Sequence, residues 1–104
     1  MTSYDLWLEP EVHHARKDLP GNFRQQIKRA IEHLAADPRP ASSAPLDVSE
    51  IDVPLAVEVR RLRLPPWRII YAINDDEHWV WVLAIHRRPP YDYEDLDRLV
   101  AKLR

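Results

Sequence analysis

The sequence predicts an α+β fold: an N-terminal strand, an α-helical hairpin packed on an antiparallel sheet of about four strands, and a C-terminal helix. Three observations predict it. Residues 10–36 place apolar side chains at helical spacing in two runs split by Pro20-Gly21-Asn22. Residues 57–85 hold three apolar, aromatic-rich runs joined by Pro65-Pro66 and by Asn74-Asp75-Asp76-Glu77, linkers short enough for an antiparallel meander. Residues 92–104 return to helical spacing.

Each element has its local reason. Tyr4, Leu6 and Leu8 alternate with Asp5 and Trp7, which reads as a first strand over 3–8. Pro10 suits the first turn of a short helix reaching about residue 18, with Glu9 and Glu11 at the positive end of its dipole. Asn22 is placed to cap a second helix over 23–36, where Phe23, Ile27, Ile31 and Leu34 share one face. Asp37-Pro38 ends it. Residues 38–55 hold four prolines and read as a long loop whose Leu46, Val48, Ile51 and Leu55 pack down in part. In Val57–Leu64 the apolar parity switches midway, which predicts a β-bulge near Arg60-Arg61. Trp67–Ile73 and His78–Ile85 are apolar on both parities, as central strands covered on both faces are. Trp79 and Trp81 belong to that core. Asp92 opens a capping pattern for a helix carrying Leu96, Leu99, Val100 and Leu103.

Composition narrows the chemistry. The chain has 104 residues, enough for one domain over 1–104 with its own core. It has no cysteine, so disulfides and thiolate metal sites are excluded, and Gly21 as the one glycine excludes a glycine-rich phosphate loop. His13-His14, His33 and His78 show no ligand spacing, so no metal or other cofactor is expected. No basic segment precedes an apolar run at the N-terminus, and nowhere do about 18 apolar residues follow one another, so the expectation is a cytoplasmic protein without membrane contact. With 15 Lys and Arg against 17 Asp and Glu, the formal charge of −2 gives no global case for nucleic acid. Only the distribution of charge can make that case. Basic residues gather in 60–68 and 86–88, and acidic ones in 47–52, 75–77 and 92–97.

The element order, together with DLPGNFRQQIKRAIEHLAADPRP, LRLPPWRIIYAI and LAIHRRPPYDY, resembles the RelE/ParE superfamily of toxin–antitoxin toxins from Leu6 to Leu103. The family's usual turn, Arg-x-Gly-x-Tyr-Arg, stands here as Arg63-Leu64-Pro65-Pro66-Trp67-Arg68, with a diproline replacing the glycine. Its closing signature, roughly His-Arg-Arg-x-x-Tyr, is met by His86-Arg87-Arg88-Pro89-Pro90-Tyr91. RelE-like members are ribosome-dependent endoribonucleases, whereas ParE-like members poison DNA gyrase. The Leu-Pro link between the helices, the arginine opening the middle strand and the ending resemble the RelE side. The resemblance implies a cognate antitoxin, mRNA and the ribosome as partners, with operator DNA met indirectly through the antitoxin. The alternative is a ParE-like gyrase inhibitor, or a member that only engages its antitoxin.

RNA cleavage by 2′-hydroxyl attack builds charge on the phosphate, and fixed arginines answer that charge with a planar, bidentate fork. By resemblance, Arg68 takes the scissile phosphate and Arg87 a second phosphate or the leaving group. Arg61 joins them on the earlier strand, and Arg60, Arg63 and Arg88 are RNA-contact candidates. Either Tyr91 or Tyr93 orients or stacks on a base. Arginine stays protonated at any working pH, so it does not serve as a base. His86 is the nearby group that titrates near neutrality, and is expected to supply acid or base function. Structural readings stand beside these: a strand-end ion pair of Arg68 with Asp75 or Asp76, a solvated sheet face for the other arginines, and an ordinary satisfied histidine at 86.

Overall fold

The computed structural model describes residues 3–89 and 91–103. Its elements run β1 (Asp5–Leu8), α1 (Pro10–Lys17), α2 (Gly21–Leu34), β2 (Ser43–Pro45), β3 (Val57–Leu64), β4 (Trp67–Asn74), β5 (Trp79–Arg87) and α3 (Leu96–Val100), which runs into a 3₁₀ turn at Ala101–Leu103. The sheet order is β1-β5-β4-β3-β2. The class is α+β as the sequence predicts, with two refinements to the sheet. It has a fifth strand, and it is mixed: β1 pairs parallel to β5, while the other neighbours are antiparallel. The added strand, β2, lies in the stretch read as loop. Three residues with a proline among them are too few to give a periodic signal, and β2 is an edge, where proline is tolerated.

Both faces of β4 and β5 are covered, by different material. On the first face, Ile69, Tyr71 and Ile73 of β4 and Val80, Val82 and Ile85 of β5 meet Val12, Leu19, Ile27, Ile31 and Leu34 of the helical hairpin. Side chains of this size contribute about 1.5–3 kcal/mol each when buried. On the second face, Val59, Ile70, Ala72, Trp79, Leu83 and Ala84 meet Leu96, Leu99 and Val100 of the C-terminal helix. Leu46, Val48, Ile51 and Val53, from the long segment before β3, complete that cover, whereas Leu55 is fully exposed. Trp79 is buried and Trp81 half-buried. Trp7 leans on both at the β1 edge, stacked on Trp79 at 6.0 Å and edge-on to Trp81 at 5.5 Å.

The double cover corrects the bulge expected at Arg60-Arg61. β3 pairs with β4 in unbroken register from Val57↔Asn74 to Leu64↔Trp67. Its parity switch exists because Val59 serves the second face and Leu62 the first. The irregularity lies in β5: Tyr71 pairs with Val82 and Ile70 with Ala84, so Leu83 is the extra residue. Beyond it the parity of β5 reverses, putting His86 on the second face and Arg87 on the first. Two caps also differ. Pro20 precedes α2 and Asn22 lies within its first turn, so no side chain caps it. α3 starts at Leu96 rather than near residue 92, because Tyr93 takes a left-handed conformation (φ 67°) and Asp92 accepts only the Glu94 N–H, at 3.3 Å.

At the β3–β4 hairpin the Pro65–Pro66 bond is cis, and Leu64 faces Trp67 directly across the turn. At the opposite end of β4, Arg39 donates to Asp75 Oδ2 at 2.9 Å and to Glu58 Oε1 at 2.9 Å. The Tyr4 hydroxyl donates to Asp75 Oδ1 at 2.6 Å. The Arg39 guanidinium, then the Tyr4 hydroxyl, hold the Asp75 carboxyl below its ordinary range. A carboxylate so depressed adds stability above its unfolded pKa of about 3.9, and that stability disappears as pH falls through the lower folded value. Asp75→Asn is expected to cost about 0.5–1 kcal/mol near pH 7, since the pair is half exposed and screened. Urea melts at pH 7 and below pH 4 check this, with the gap between wild type and variant closing at the acid end.

Candidate active site

The open rim of the second face lies at the diproline end of the sheet. Register places Arg63, Arg68 and His86 side by side on adjacent strands, through the pairs Arg63↔Arg68 and Arg68↔His86. Arg61 sits two residues before Arg63 and shares its face. The Arg88 N–H donates to the Pro66 carbonyl at 2.8 Å, which extends the ladder past β5 and brings Arg88 beside the turn. Arg61, Arg63, Arg68 and Arg88 line one cavity of about 260 Å³ with no carboxylate in its wall. A second hollow of about 400 Å³ shares Arg61 and Arg63 and runs onto Ala41–Ala44.

These arginines are not neutralised from within. Among the described residues no ion pair involves Arg61, Arg63, Arg68 or Arg88. Arg68 Nη1 donates to the Trp67 carbonyl at 3.0 Å, which fixes the guanidinium, yet its Nε is buried without a partner. A buried, unpaired donor among like charges costs free energy unless an acceptor arrives. The arrangement therefore suits an anion with several acceptor oxygens, such as a phosphodiester.

The other candidates fall into two groups. Arg87 and Arg60 stand on the first face, opposite Trp67 and Tyr71 respectively, and neither lines the cavity. Arg60 is tied to the Ser43 hydroxyl at 2.9 Å and to Glu58 at 3.4 Å. His86 is the strand partner of Arg68, and Tyr93 contacts Arg88. The Tyr91 ring stacks on His86 with centroids 4.0 Å apart and planes at 16°. Its hydroxyl donates to Asp95 Oδ1 at 2.6 Å. Burial, then this bond, pushes the Tyr91 hydroxyl far above its ordinary pKa, so it stays protonated and occupied. Tyr93 lies edge-on to Tyr91 and under the Arg88 guanidinium, 5.4 Å from its ring centre, and its hydroxyl is buried without a partner. Pro90 of the closing signature lies outside the described residues.

The structural reading of Arg68 as a partner of Asp75 or Asp76 does not hold, because β4 separates them by its whole length and Asp75 belongs to Arg39 and Tyr4. Asp95 is the site residue that sequence reasoning missed. Nothing in its neighbourhood distinguishes it from Asp92 or Asp97 until the chain folds back over β5. Among the described residues, no group of three or more His, Asp or Glu could hold a metal ion, and no helix is long and apolar enough to cross a membrane.

No curated protein sequence matches the chain. In structure it is similar to the archaeal RelE–RelB complex of Pyrococcus horikoshii OT3, with a TM-score of 0.73 at 20% identity over 86% of this chain and 99% of that one. The toxin–antitoxin complex RelBE2 of Mycobacterium tuberculosis gives 0.65 at 17% identity over 83% and 99%. The isolated E. coli RelE toxin gives 0.60 at 15% identity over 98% and 100%. At such identities the likeness is one of fold. The family described as the ParE toxin of the type II toxin-antitoxin system, parDE, matches residues 11–89. That match spans both hairpin helices and every strand from β2 to β5, and it places the chain among the type II toxin–antitoxin toxins of the RelE/ParE superfamily, in the ParE toxin family.

Proposed function

We propose that this toxin is an endoribonuclease of the RelE kind, cutting mRNA on the ribosome in the cytoplasm, with residues 1–104 acting as one domain. The observation that carries the reading is the cleft of Arg61, Arg63, Arg68 and Arg88, free of carboxylates, with His86 paired to Arg68 on the next strand. A cognate antitoxin that wraps the toxin neutralises it, in keeping with the RelE–RelB complex to which it is similar, and provides the indirect contact with operator DNA.

In the reaction, the ribose 2′-oxygen attacks the adjacent phosphorus and the 5′-oxygen leaves. Arg68, held by the Trp67 carbonyl, meets the scissile phosphate with the part of its guanidinium that lines the cleft. Donors fixed before the reaction stabilise the charge that develops without reorganising. Arg61 and Arg63 contact flanking phosphates along the second hollow. Arg88, rather than Arg87, makes the second contact at the scissile group, since alternation past the β5 bulge turns Arg87 away. Tyr93 is the tyrosine assigned to the substrate base, because the Tyr91 hydroxyl is already engaged with Asp95. His86 exchanges the proton.

A second reading, inhibition of DNA gyrase, is supported by the family model, whose description is that of ParE. Mapping of mRNA cuts after induced expression, alongside a supercoiling assay with purified gyrase, separates the two. Arg68→Ala is expected to lower the cleavage rate on ribosome-bound mRNA by about 10²–10³-fold, the loss typical of one charge-stabilising donor. Wild-type cleavage by this variant sinks the ribonuclease assignment, and gyrase inhibition with intact mRNA establishes the other. The cleft also predicts anion linkage. Sulfate is expected to raise the Tm of the wild type more than chloride at equal ionic strength, because it binds the folded state alone. Arg68→Met should narrow that difference in differential scanning fluorimetry.

A further inference from the structure

Asp95 occupies a position that the cleft alone does not explain. It precedes α3, in the segment that crosses back over the second face. Its Oδ1 accepts the Tyr91 hydroxyl at 2.6 Å and its Oδ2 accepts Arg98 Nη2 at 3.1 Å. The same Oδ2 stands 3.4 Å from His86 Nε2, with the side chains 24% and 35% exposed. That contact is out of line for a hydrogen bond, and Nε2 is buried with no other partner among the described residues. One carboxylate therefore anchors the ring that stacks on His86 and also confronts the buried nitrogen of His86.

We propose that Asp95 is a positioning residue that fixes His86 as its Nε2–H tautomer, leaving Nδ1 as the nitrogen that takes the substrate's proton; the second half rests on the ribonuclease reading. Without a proton, Nε2 would sit 3.4 Å from a carboxylate oxygen, two electron-rich atoms with no hydrogen to relieve the repulsion. A proton on Nε2 turns the same contact attractive. The hydrogen bond from Tyr91 and the pair with Arg98 hold Asp95 in place, so its orientation does not depend on His86. In the reaction, His86 Nδ1 takes the proton of the 2′-hydroxyl as its oxygen bonds to phosphorus. The P–O5′ bond breaks with its electron pair on the 5′-oxygen, which takes a proton from water. The products are a 2′,3′-cyclic phosphate and a 5′-hydroxyl, and the imidazolium returns its proton to the hydroxide left behind. The same division of labour, with a carboxylate orienting a histidine that acts through its other nitrogen, serves hydrolases of unrelated fold.

Two measurements on the full chain test this. Long-range ¹H–¹⁵N spectra of the ring nitrogens, with His86 assigned by its loss in His86→Gln, are expected to show the Nε2–H tautomer in the wild type. In Asp95→Asn the signal should shift towards the Nδ1–H form, because the amide can donate to Nε2. In single-turnover cleavage of ribosome-bound mRNA, Asp95→Asn is expected to slow the step by about 10²-fold with the half-saturating ribosome concentration unchanged. Asp95→Glu should recover part of the rate. An Nδ1–H tautomer in the wild type, or an Asp95→Asn variant at the wild-type rate with a normal Tm, overturns the proposal. A wild-type chain that leaves ribosome-bound mRNA intact overturns the ribonuclease reading and the base role with it, while the tautomer spectrum separately decides whether Asp95 holds His86.

Discussion

The rest of the structure depends on covering two central strands twice. β4 and β5 are apolar on both faces, and a bare apolar face loses about 25 cal/mol for each Å² left in water. The helical hairpin closes one side over most of its length. The other side is closed by a short helix and by four apolar side chains from an otherwise irregular segment, Leu46, Val48, Ile51 and Val53. This second cover is thin, and it stops before the diproline turn. The uncovered corner is where the polar positions of β3, β4 and β5 coincide, and the polar residues there are arginines and a histidine. The site is thus the part of the sheet that the chain does not roof.

Charge is sorted by the same geometry. Several carboxylates are committed away from the arginine rim: Asp75 and Glu58 to Arg39 at the far end of β4, Glu11 to Lys102 and Arg98, and Asp95 to Tyr91 and Arg98. An acidic total and a cationic cleft are therefore compatible. Attraction of an anion to the cleft arises from a local field, which screens over about 8–10 Å at physiological salt, rather than from the net charge.

Much of this was legible in the sequence because it follows from periodicity. The hairpin face of Ile27, Ile31 and Leu34, the doubly apolar β4 and β5, and the tight turn at Pro65-Pro66 are all written as spacing. Whether Arg61 or Arg60 accompanies Arg63 was not, since the parity switch of β3 reads as a bulge until both faces of the sheet are seen to be covered. Three further things were not legible. β2 is recognised only by its partner, Ser43 facing Leu62. The start of α3 is postponed by the left-handed Tyr93, a conformation that tyrosine seldom adopts. Asp95 acquires meaning only through Tyr91 and His86, which tertiary folding brings to it. The parity of His86 and Arg87 was the subtler loss, for it depends on an irregularity that apolar residues on both sides conceal.

The bulge at Leu83 carries a consequence for which residues the rim presents. A bulge absorbs one extra residue by letting Leu83 and Ala84 share a face, so the pairings beyond it, Arg68 with His86 and Trp67 with Arg87, are the same whether or not β5 carries that residue. Here it presents His86 and Arg88 and withdraws Arg87. The same residues in unbroken alternation would present Arg87 instead. The ionic character of the rim thus depends on a break in alternation several residues upstream of it, in the core.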